Sequence, residues 1–342
     1  GFRKMIVYNG RIYVSAGLGV LGLGTSFFLM SSEDGVNWER ENDGPRDGIN
    51  PRAMAVYEDI LYVGVEADSS ANATTIEVNF WSYDGATWTQ LPDVPFANSG
   101  GVGELYVHDD KLWIGIIEDA SRGSAFGLYT YDGISFDDTI APELTNYTAW
   151  DGIQYDLGAI GSNNFGVGTM ISYNGRLWIG IVNINNGFSV LATDDSGGEW
   201  ELVTANGLGD TANAYPWQML VFEGRLLLGT YNMGSLAVFF GGSFALGSLL
   251  DGRGTGELWT LSLEEEKKFE SIKLPAGWGN ANWGIRTMKT CFNGARMCIG
   301  SASNPYWPEL RRQRLIPLRG AGTEIWSVEE IPNDFKVFES WP

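Results

Sequence analysis

One short phrase recurs six times along the chain, and its spacing constrains the fold more than any single residue does. It reads MIVYNGRIYVSAG at Met5–Gly17, MAVYEDILYVGV at Met54–Val65, LYVHDDKLWIGI at Leu105–Ile116, MISYNGRLWIGI at Met170–Ile181, MLVFEGRLLLGT at Met219–Thr230 and MKTCFNGARMCIG at Met288–Gly300. Each copy is an apolar strand, a tight turn of Asn-Gly, Glu-Asp, Asp-Asp or Glu-Gly, and a second strand, the pattern of a β-hairpin. The turn anchors Gly10, Asp59, Asp110, Gly175, Gly224 and Gly294 stand 49, 51, 65, 49 and 70 residues apart. Repetition at that period specifies a repeat fold.

Each interval has room for a second hairpin, and one follows most first hairpins: FFLMSSEDGVNWER, FWSYDGATWTQL, GLYTYDGISFDD, SVLATDDSGGEWELV and, more loosely, GELWTLSLEEEKKFESI and TEIWSVEEIPNDFKVF. Two hairpins per period make a four-stranded antiparallel sheet, and six such sheets around an axis make a six-bladed β-propeller. The expectation is therefore an all-β fold with almost no helix, a single propeller domain over residues 1–342. Its blades fall near 1–49, 50–100, 101–141, 166–207, 215–277 and 282–342, with long insertions at 137–169, 231–256 and 301–322. The aromatic content of 13% and the 46 glycines suit strands and turns. The chain opens on a first strand and ends on a last one, so ring closure lacks an exchanged terminal strand; one preceding Gly1 would supply it.

A formal charge of −20 excludes a phosphate backbone as the main partner, because nucleic-acid binding draws its affinity from clustered Lys and Arg. It also disfavours an anionic membrane surface. No segment reaches the roughly 18 apolar residues of a membrane span; Leu236–Leu250 comes nearest and is broken by glycine and serine. The two cysteines, Cys291 and Cys298, both lie on the sixth hairpin. A turn at Asn293-Gly294 places them diagonally on one face, and a loop enlarged by Ala295 places them on opposite faces. They are read as two buried thiols in preference to a disulfide. Asn72-Ala73-Thr74 and Asn146-Tyr147-Thr148 match the glycosylation acceptor pattern.

Several second hairpins resemble the Asp-box, or BNR repeat, of sialidase-like propellers. Thr193, Asp195, Gly197 and Trp200 follow its Ser/Thr-x-Asp-x-Gly-x-x-Trp pattern, and Ser31, Glu33, Gly35 and Trp38 follow it with glutamate in place of aspartate. The stretches Ser82–Trp88 and Thr130–Phe136 lack one residue between aspartate and glycine, and repeats five and six depart from the pattern. The resemblance implies an outer-edge turn in which aspartate caps amides, glycine takes a positive φ and the aromatic closes the hairpin. It speaks to fold and not to catalysis.

Nearly all length variation falls in the loops between second and third strands and between repeats, which share one face; the opposite face carries tight turns. Elaborated loops on a rigid scaffold mark a working surface. Aromatic residues gather there: Trp150, Tyr155, Tyr215, Trp217, Trp278, Trp283, Tyr306 and Trp307. Such rings stack on sugars, anchor protein partners or simply pack between blades. Two residues before the recurring methionine stand Arg3, Arg52 and Arg286, with Gly103, Gly168 and Trp217 in the other repeats. Three guanidinium groups at the start of neighbouring inner strands suit a carboxylate, sulfate or other anion, unless loop carboxylates such as Asp47 or Asp151 pair with them.

Six blades, Asp-boxes and an arginine triad are similar to the sialidases. That resemblance implies a tyrosine nucleophile, a glutamate partner and an aspartate acid, and the spacing here assigns none of these roles. His108, the one histidine, occupies the position of Tyr8, Tyr57, Tyr173 and Phe222 and is read as their structural substitute, which leaves no Ser-His-Asp triad or histidine metal site. No cofactor is implied, although Glu41-Asn42-Asp43-Gly44 and Asp194-Asp195 offer oxygen ligands to Ca2+ without EF-hand spacing. Arg311, Arg312, Arg314 and Arg319 form one basic cluster in a long loop.

The first expectation is a non-enzymatic, extracellular, periplasmic or cell-surface propeller that binds a glycan or protein partner. Its candidate ligand-binding residues are Arg3, Arg52, Arg286, Trp217, Trp283, Tyr215 and Trp307. The alternative is a sialidase-like glycoside hydrolase with an arginine-lined axial pocket. A third reading, a structural subunit of a surface assembly, draws on the apolar segment Ser235–Leu250.

Overall fold

In the computed structural model of the chain, the described residues are 2–20, 23–45, 50–66, 80–119, 125–137, 147–149, 152, 154–155, 164–193, 199–233, 255–261, 268–274, 282–303, 324–329 and 336–340. They form an all-β structure with no α-helix among them. The chain divides into two compact units, the first comprising Gly1–Leu144, Gly158–Ser172 and Asp194–Glu199, the second Thr145–Leu157, Tyr173–Thr193 and Trp200–Pro342.

The first unit holds three antiparallel meanders of identical strand order. Their strands are Phe2–Tyr8, Arg11–Val20, Leu23–Ser32 and Glu39–Arg40; Asn50–Tyr57, Ile60–Glu66, Phe80–Tyr83 and Trp88–Gln90; and Gly101–His108, Lys111–Asp119, Ala125–Tyr131 and Phe136–Asp137. The second unit holds a three-stranded sheet, Arg176–Asn183, Ser189–Thr193 and Trp200–Thr204. Two further meanders follow it. One runs through Asn213–Phe222, Arg225–Asn232, Leu258–Leu261 and Phe269–Ile272, the other through Asn282–Cys291, Arg296–Ser303, Glu324–Val328 and Lys336–Ser340.

The turns follow from their residues. Asn9 and Gly10 both take positive φ, as do Glu58 and Asp59, Asp109 and Asp110, Asn174 and Gly175, and Glu223 and Gly224, which is the two-residue geometry that matches strand twist. From the residue before the turn, a tyrosine reaches forward to the next repeat. The hydroxyls of Tyr8, Tyr57 and Tyr173 donate to the turn carbonyls of Asp59, Asp110 and Gly224 at 2.7, 2.8 and 2.9 Å. His108 stands in this position as a buried residue, and its Nδ1 lies 2.7 Å from Ser172 Oγ.

Successive repeats also interlock through glycine. The second strand carries Gly64 in the second repeat, Gly115 in the third and Gly229 in the fifth, and each faces a β-branched residue of the next first strand. A Cβ on Gly115 would lie 2.5 Å from Val167 Cβ, one on Gly229 2.6 Å from Ile285 Cγ2, and one on Gly64 would overlap Val102. The bridges Glu66↔Gly101, Ile117↔Gly166 and Tyr231↔Gly284 continue the sheets at the same joints.

Between repeats lie the cores. Tyr8, Tyr13, Leu29, Met54, Leu61 and Val63 fill the space between the first and second repeats. Tyr62, Phe80, Phe96, Leu105, Ile114 and Tyr129 fill that between the second and third, where Tyr62 and Phe80 stack at 5.6 Å. Phe222, Leu227, Ile285, Met288 and Trp326 do so in the second unit.

At the turns between third and fourth strands, one aspartate oxygen accepts two backbone N–H groups. Asp84 Oδ1 accepts from Ala86 and Thr87 at 2.8 and 2.7 Å, and Asp132 Oδ1 from Ile134 and Ser135 at 2.9 and 2.7 Å. In the first repeat Asp34 Oδ1 takes this role with Val36 and Asn37 at 2.8 and 2.7 Å, which corrects the assignment of Glu33. Glu33 instead pairs with Arg11 at 2.6 Å. All three turns thus place the capping aspartate directly before its positive-φ glycine, one residue closer than the Asp-box spacing. The matching stretch at Asp195 and Gly197 lies outside the described residues.

The cysteines require a second correction. Cys291 pairs with Arg296 and Lys289 with Cys298, so the two cysteines stand diagonally on one face and are joined as a disulfide with Cα atoms 6.0 Å apart. They are half-buried, so their surroundings do not hold them as sequestered thiols.

Candidate functional site at the bulged first strands

The column aligned two residues before the recurring methionine coincides with a backbone irregularity. Pairing between first and second strands skips a residue between Pro51 and Ala53, between Val102 and Glu104, between Pro216 and Gln218 and between Ile285 and Thr287, and it breaks between Phe2 and Met5. The residues skipped in the strand register are Arg52, Gly103, Trp217, Arg286 and, with Lys4, Arg3. A bulge bends its strand and re-aims the side chain that it carries. The same device therefore presents a cation, an aromatic ring or a glycine at the same point of five repeats.

In the first unit the bulges bring distant residues together. Lys4 Nζ forms an ion pair with Glu104 Oε1, reaching from the first repeat to the third, past the aligned Ala53 of the second. Ala53 is fully buried and offers only a methyl group. The Glu104 side chain is 8% exposed and that of Lys4 26%, and Glu104 Oε1 also accepts from the Leu105 N–H at 3.1 Å. The ion pair thus spans three neighbouring first strands. A contact across 100 residues leaves no local trace in the sequence, and composition could not reveal it.

In the second unit the bulges join two candidate residues directly. The Arg286 guanidinium lies 4.4 Å from the centroid of the Trp217 ring, a cation–π contact. Trp217 leans on Tyr231 at 4.5 Å and on Tyr215 at 6.4 Å, while Tyr215 meets Tyr231 edge-on at 5.4 Å. A Cβ on Gly284 would sit 2.6 Å from the Trp217 ring, so glycine is what admits the indole. Burial pushes the Tyr231 phenol above its ordinary pKa, Tyr215 adds to the shift, and Arg286 opposes it. Aromatic platform and guanidinium, separate roles in the sequence, are here one assembly.

Beside the same hairpin lies a polar network that the sequence did not single out. Glu257 Oε2 accepts from Asn213 Nδ2 at 2.7 Å and from Trp259 Nε1 at 3.0 Å, while Asn232 Nδ2 donates to Asp210 Oδ2 at 2.9 Å and to Asn213 Oδ1 at 3.0 Å. Burial raises the Glu257 pKa, the two donated hydrogen bonds oppose the shift, and Asp210 adds to it.

Arg3 and Arg52 occupy equivalent bulges of the first unit, and Arg286 occupies one of the second. The side chains of Trp283 and Tyr155 lie outside the described residues, as do Trp150, Trp278, Tyr306, Trp307, the arginines of 311–319, Asp47, Asp151, Asp194-Asp195 and the segment 235–250. Glu41, in the proposed calcium stretch, accepts from Trp88 Nε1 at 3.2 Å. Among the described residues no group of three or more His, Cys, Asp or Glu side chains is arranged to hold a metal. No helix among them is long and apolar enough to cross a membrane.

No protein-family model matches the chain, and no curated protein matches it. Solved structures do. Trypanosoma rangeli sialidase superposes with a TM-score of 0.50 at 14% identity, covering 92% of this chain and 56% of its own. The same sialidase in complex with the inhibitor DANA gives a TM-score of 0.51 at 13% identity, with the same coverage. An exo-β-1,3-galactanase from Clostridium thermocellum gives 0.44 at 13% identity, covering 79% of this chain and 60% of that one. The chain thus spans a little over half the length of the sialidase, and the likeness identifies a propeller-like all-β fold.

Proposed function

We propose that the protein is a glycan-active, six-bladed β-propeller, one domain over residues 1–342, whose ligand lies at the bulged ends of the first strands. The proposed ligand-binding residues are Arg3 and Arg52 of the first unit and, in the second, Arg286 with Tyr215 and Trp217, Trp283 and Trp307. The observation that carries this reading is the bulge at one aligned position in five repeats, occupied by arginine in three and by tryptophan in a fourth. The likeness to a sialidase, one copy of which holds the inhibitor DANA, supports hydrolysis of a glycan over recognition alone.

Recognition without turnover is the second reading. Its support is the Arg286–Trp217 stack, an arrangement suited to gripping a ligand that itself moves no proton. In either case the disulfide at Cys291–Cys298 supports a place outside the cytoplasm.

A panel of fluorogenic glycosides that includes a sialoside and β-galactosides, together with a glycan array, tests both readings. Turnover that is lost in Arg286→Ala and Arg52→Ala supports the hydrolase. Array binding without turnover, weakened in Trp217→Ala, supports the lectin-like reading. Neither turnover nor binding removes both.

A further inference from the structure

The Glu104 side chain is 8% exposed, and among the described residues only one of its oxygens is engaged. Oε1 takes the Lys4 ammonium and the Leu105 N–H, whereas Oε2 has no hydrogen-bond partner among the described residues. Lys4 Nζ has three protons and, among the described residues, a single acceptor, Glu104. Oε2 is not sealed from solvent, so the water that it would otherwise bond can be displaced by a ligand group that donates to it. The pair presents one open acceptor beside open N–H donors, at the point where three first strands meet.

The charges decide which group fits. An anion meets Glu104 and a cation meets Lys4, so each loses against one partner what it gains from the other. A neutral group that donates and accepts at adjacent atoms satisfies both. Two neighbouring hydroxyls of a sugar ring do this, one donating to the carboxylate and the other accepting from the ammonium. We propose that Lys4 and Glu104 form a subsite for a pair of adjacent hydroxyls on a neutral sugar, and that this pair sets specificity for an uncharged residue of the glycan. The proposal rests on the glycan reading above. It adds a subsite in the first unit that involves neither Trp217 nor Arg286.

The test uses the full chain on a printed array of neutral oligosaccharides, with 3′-sialyllactose as the acidic probe and titration calorimetry on each probe bound. Glu104→Gln and Lys4→Met are expected to weaken binding of a neutral probe about ten- to a hundredfold, the effect of losing a hydrogen bond to a charged group. Exchange protection of Phe2–Tyr8 and Gly101–His108 on adding that probe is expected in the wild type alone. The swapped variant Lys4→Glu/Glu104→Lys keeps an ion pair, so it separates loss of fold from loss of recognition: it should unfold like the wild type yet bind more weakly. Neutral-probe binding that is unchanged in all three variants overturns the subsite and leaves the glycan reading standing. So does a wild type that binds only 3′-sialyllactose, unaffected by the variants. A wild type that neither binds nor turns over any glycan overturns the parent reading, and the subsite falls with it.

Discussion

The phenolic hydroxyl of Tyr57 donates to the backbone carbonyl of Asp110 at 2.8 Å, tying the end of one first strand to the turn of the next repeat 53 residues away. Tyr8 and Asp59 make the same contact, as do Tyr173 and Gly224. The repeats are thereby joined at their turns as well as through their cores, and each tie is a single hydrogen bond that can be removed without touching the packing.

Tyr57→Phe should therefore destabilise by about 1 kcal/mol, the net worth of one such bond, because the ring is kept and the hydroxyl alone is lost. Urea unfolding followed by tryptophan fluorescence measures it, with Tyr8→Phe as a parallel case. A cost near zero in both would show that the hydroxyls bond water equally well.

The capped turns make a pH-dependent contribution. Asp34, Asp84 and Asp132 are held below the ordinary carboxylate pKa, in each case mainly because they accept backbone N–H groups from the two residues that close the turn. A depressed folded pKa means that the stabilisation is complete above the unfolded value of about 3.9 and is lost as pH falls through the folded pKa. The triple Asp→Ala variant should melt below the wild type at neutral pH and approach it in strong acid. A melting difference that stays constant down to strong acid would contradict ionised caps.

The disulfide closes a short loop around the sixth turn, and such a crosslink is worth about 2 kcal/mol in the chain-entropy account. Cys291→Ser/Cys298→Ser should lower the melting temperature without altering glycan binding, because the pair stands at the turn end of its hairpin while the bulge lies toward the other. Wild type treated with reductant should match the double variant. Equal melting of oxidised, reduced and mutated chains would mean that the crosslink constrains nothing.

Much of this was legible in the chain. Alternating apolar residues around Asn-Gly, Glu-Asp and Asp-Asp pairs located the hairpins, because side-chain period and turn chemistry are local properties. Aligning the repeats found the column of Arg3, Arg52, Trp217 and Arg286, but not that it is a bulge, which depends on pairing with the second strand. The Asp-box spacing points to Glu33, whereas the turn is capped by Asp34, the residue directly before Gly35. Lys4–Glu104 and Arg286–Trp217 were hidden for another reason: each joins different repeats, and contact between repeats has no signature in either one.

Glu257 was equally invisible, and it gives the clearest pH test. Burial raises its pKa, so the folded protein holds this proton more tightly than the unfolded chain does. Its contribution is then most favourable below the unfolded value of about 4.3 and falls as pH rises through the raised folded pKa. Because Oε2 alone accepts both from Asn213 and from Trp259, the amide oxygen of glutamine can take both bonds without the charge. Glu257→Gln should therefore match or exceed the wild type in melting temperature at pH 8 and lose that advantage toward pH 4. Glu257→Ala, which strips both donors of their acceptor, should cost about 1–3 kcal/mol per donor left buried. If Glu257→Gln instead shows the same slope of melting temperature against pH as the wild type, burial of this carboxylate is not what governs stability above its unfolded pKa.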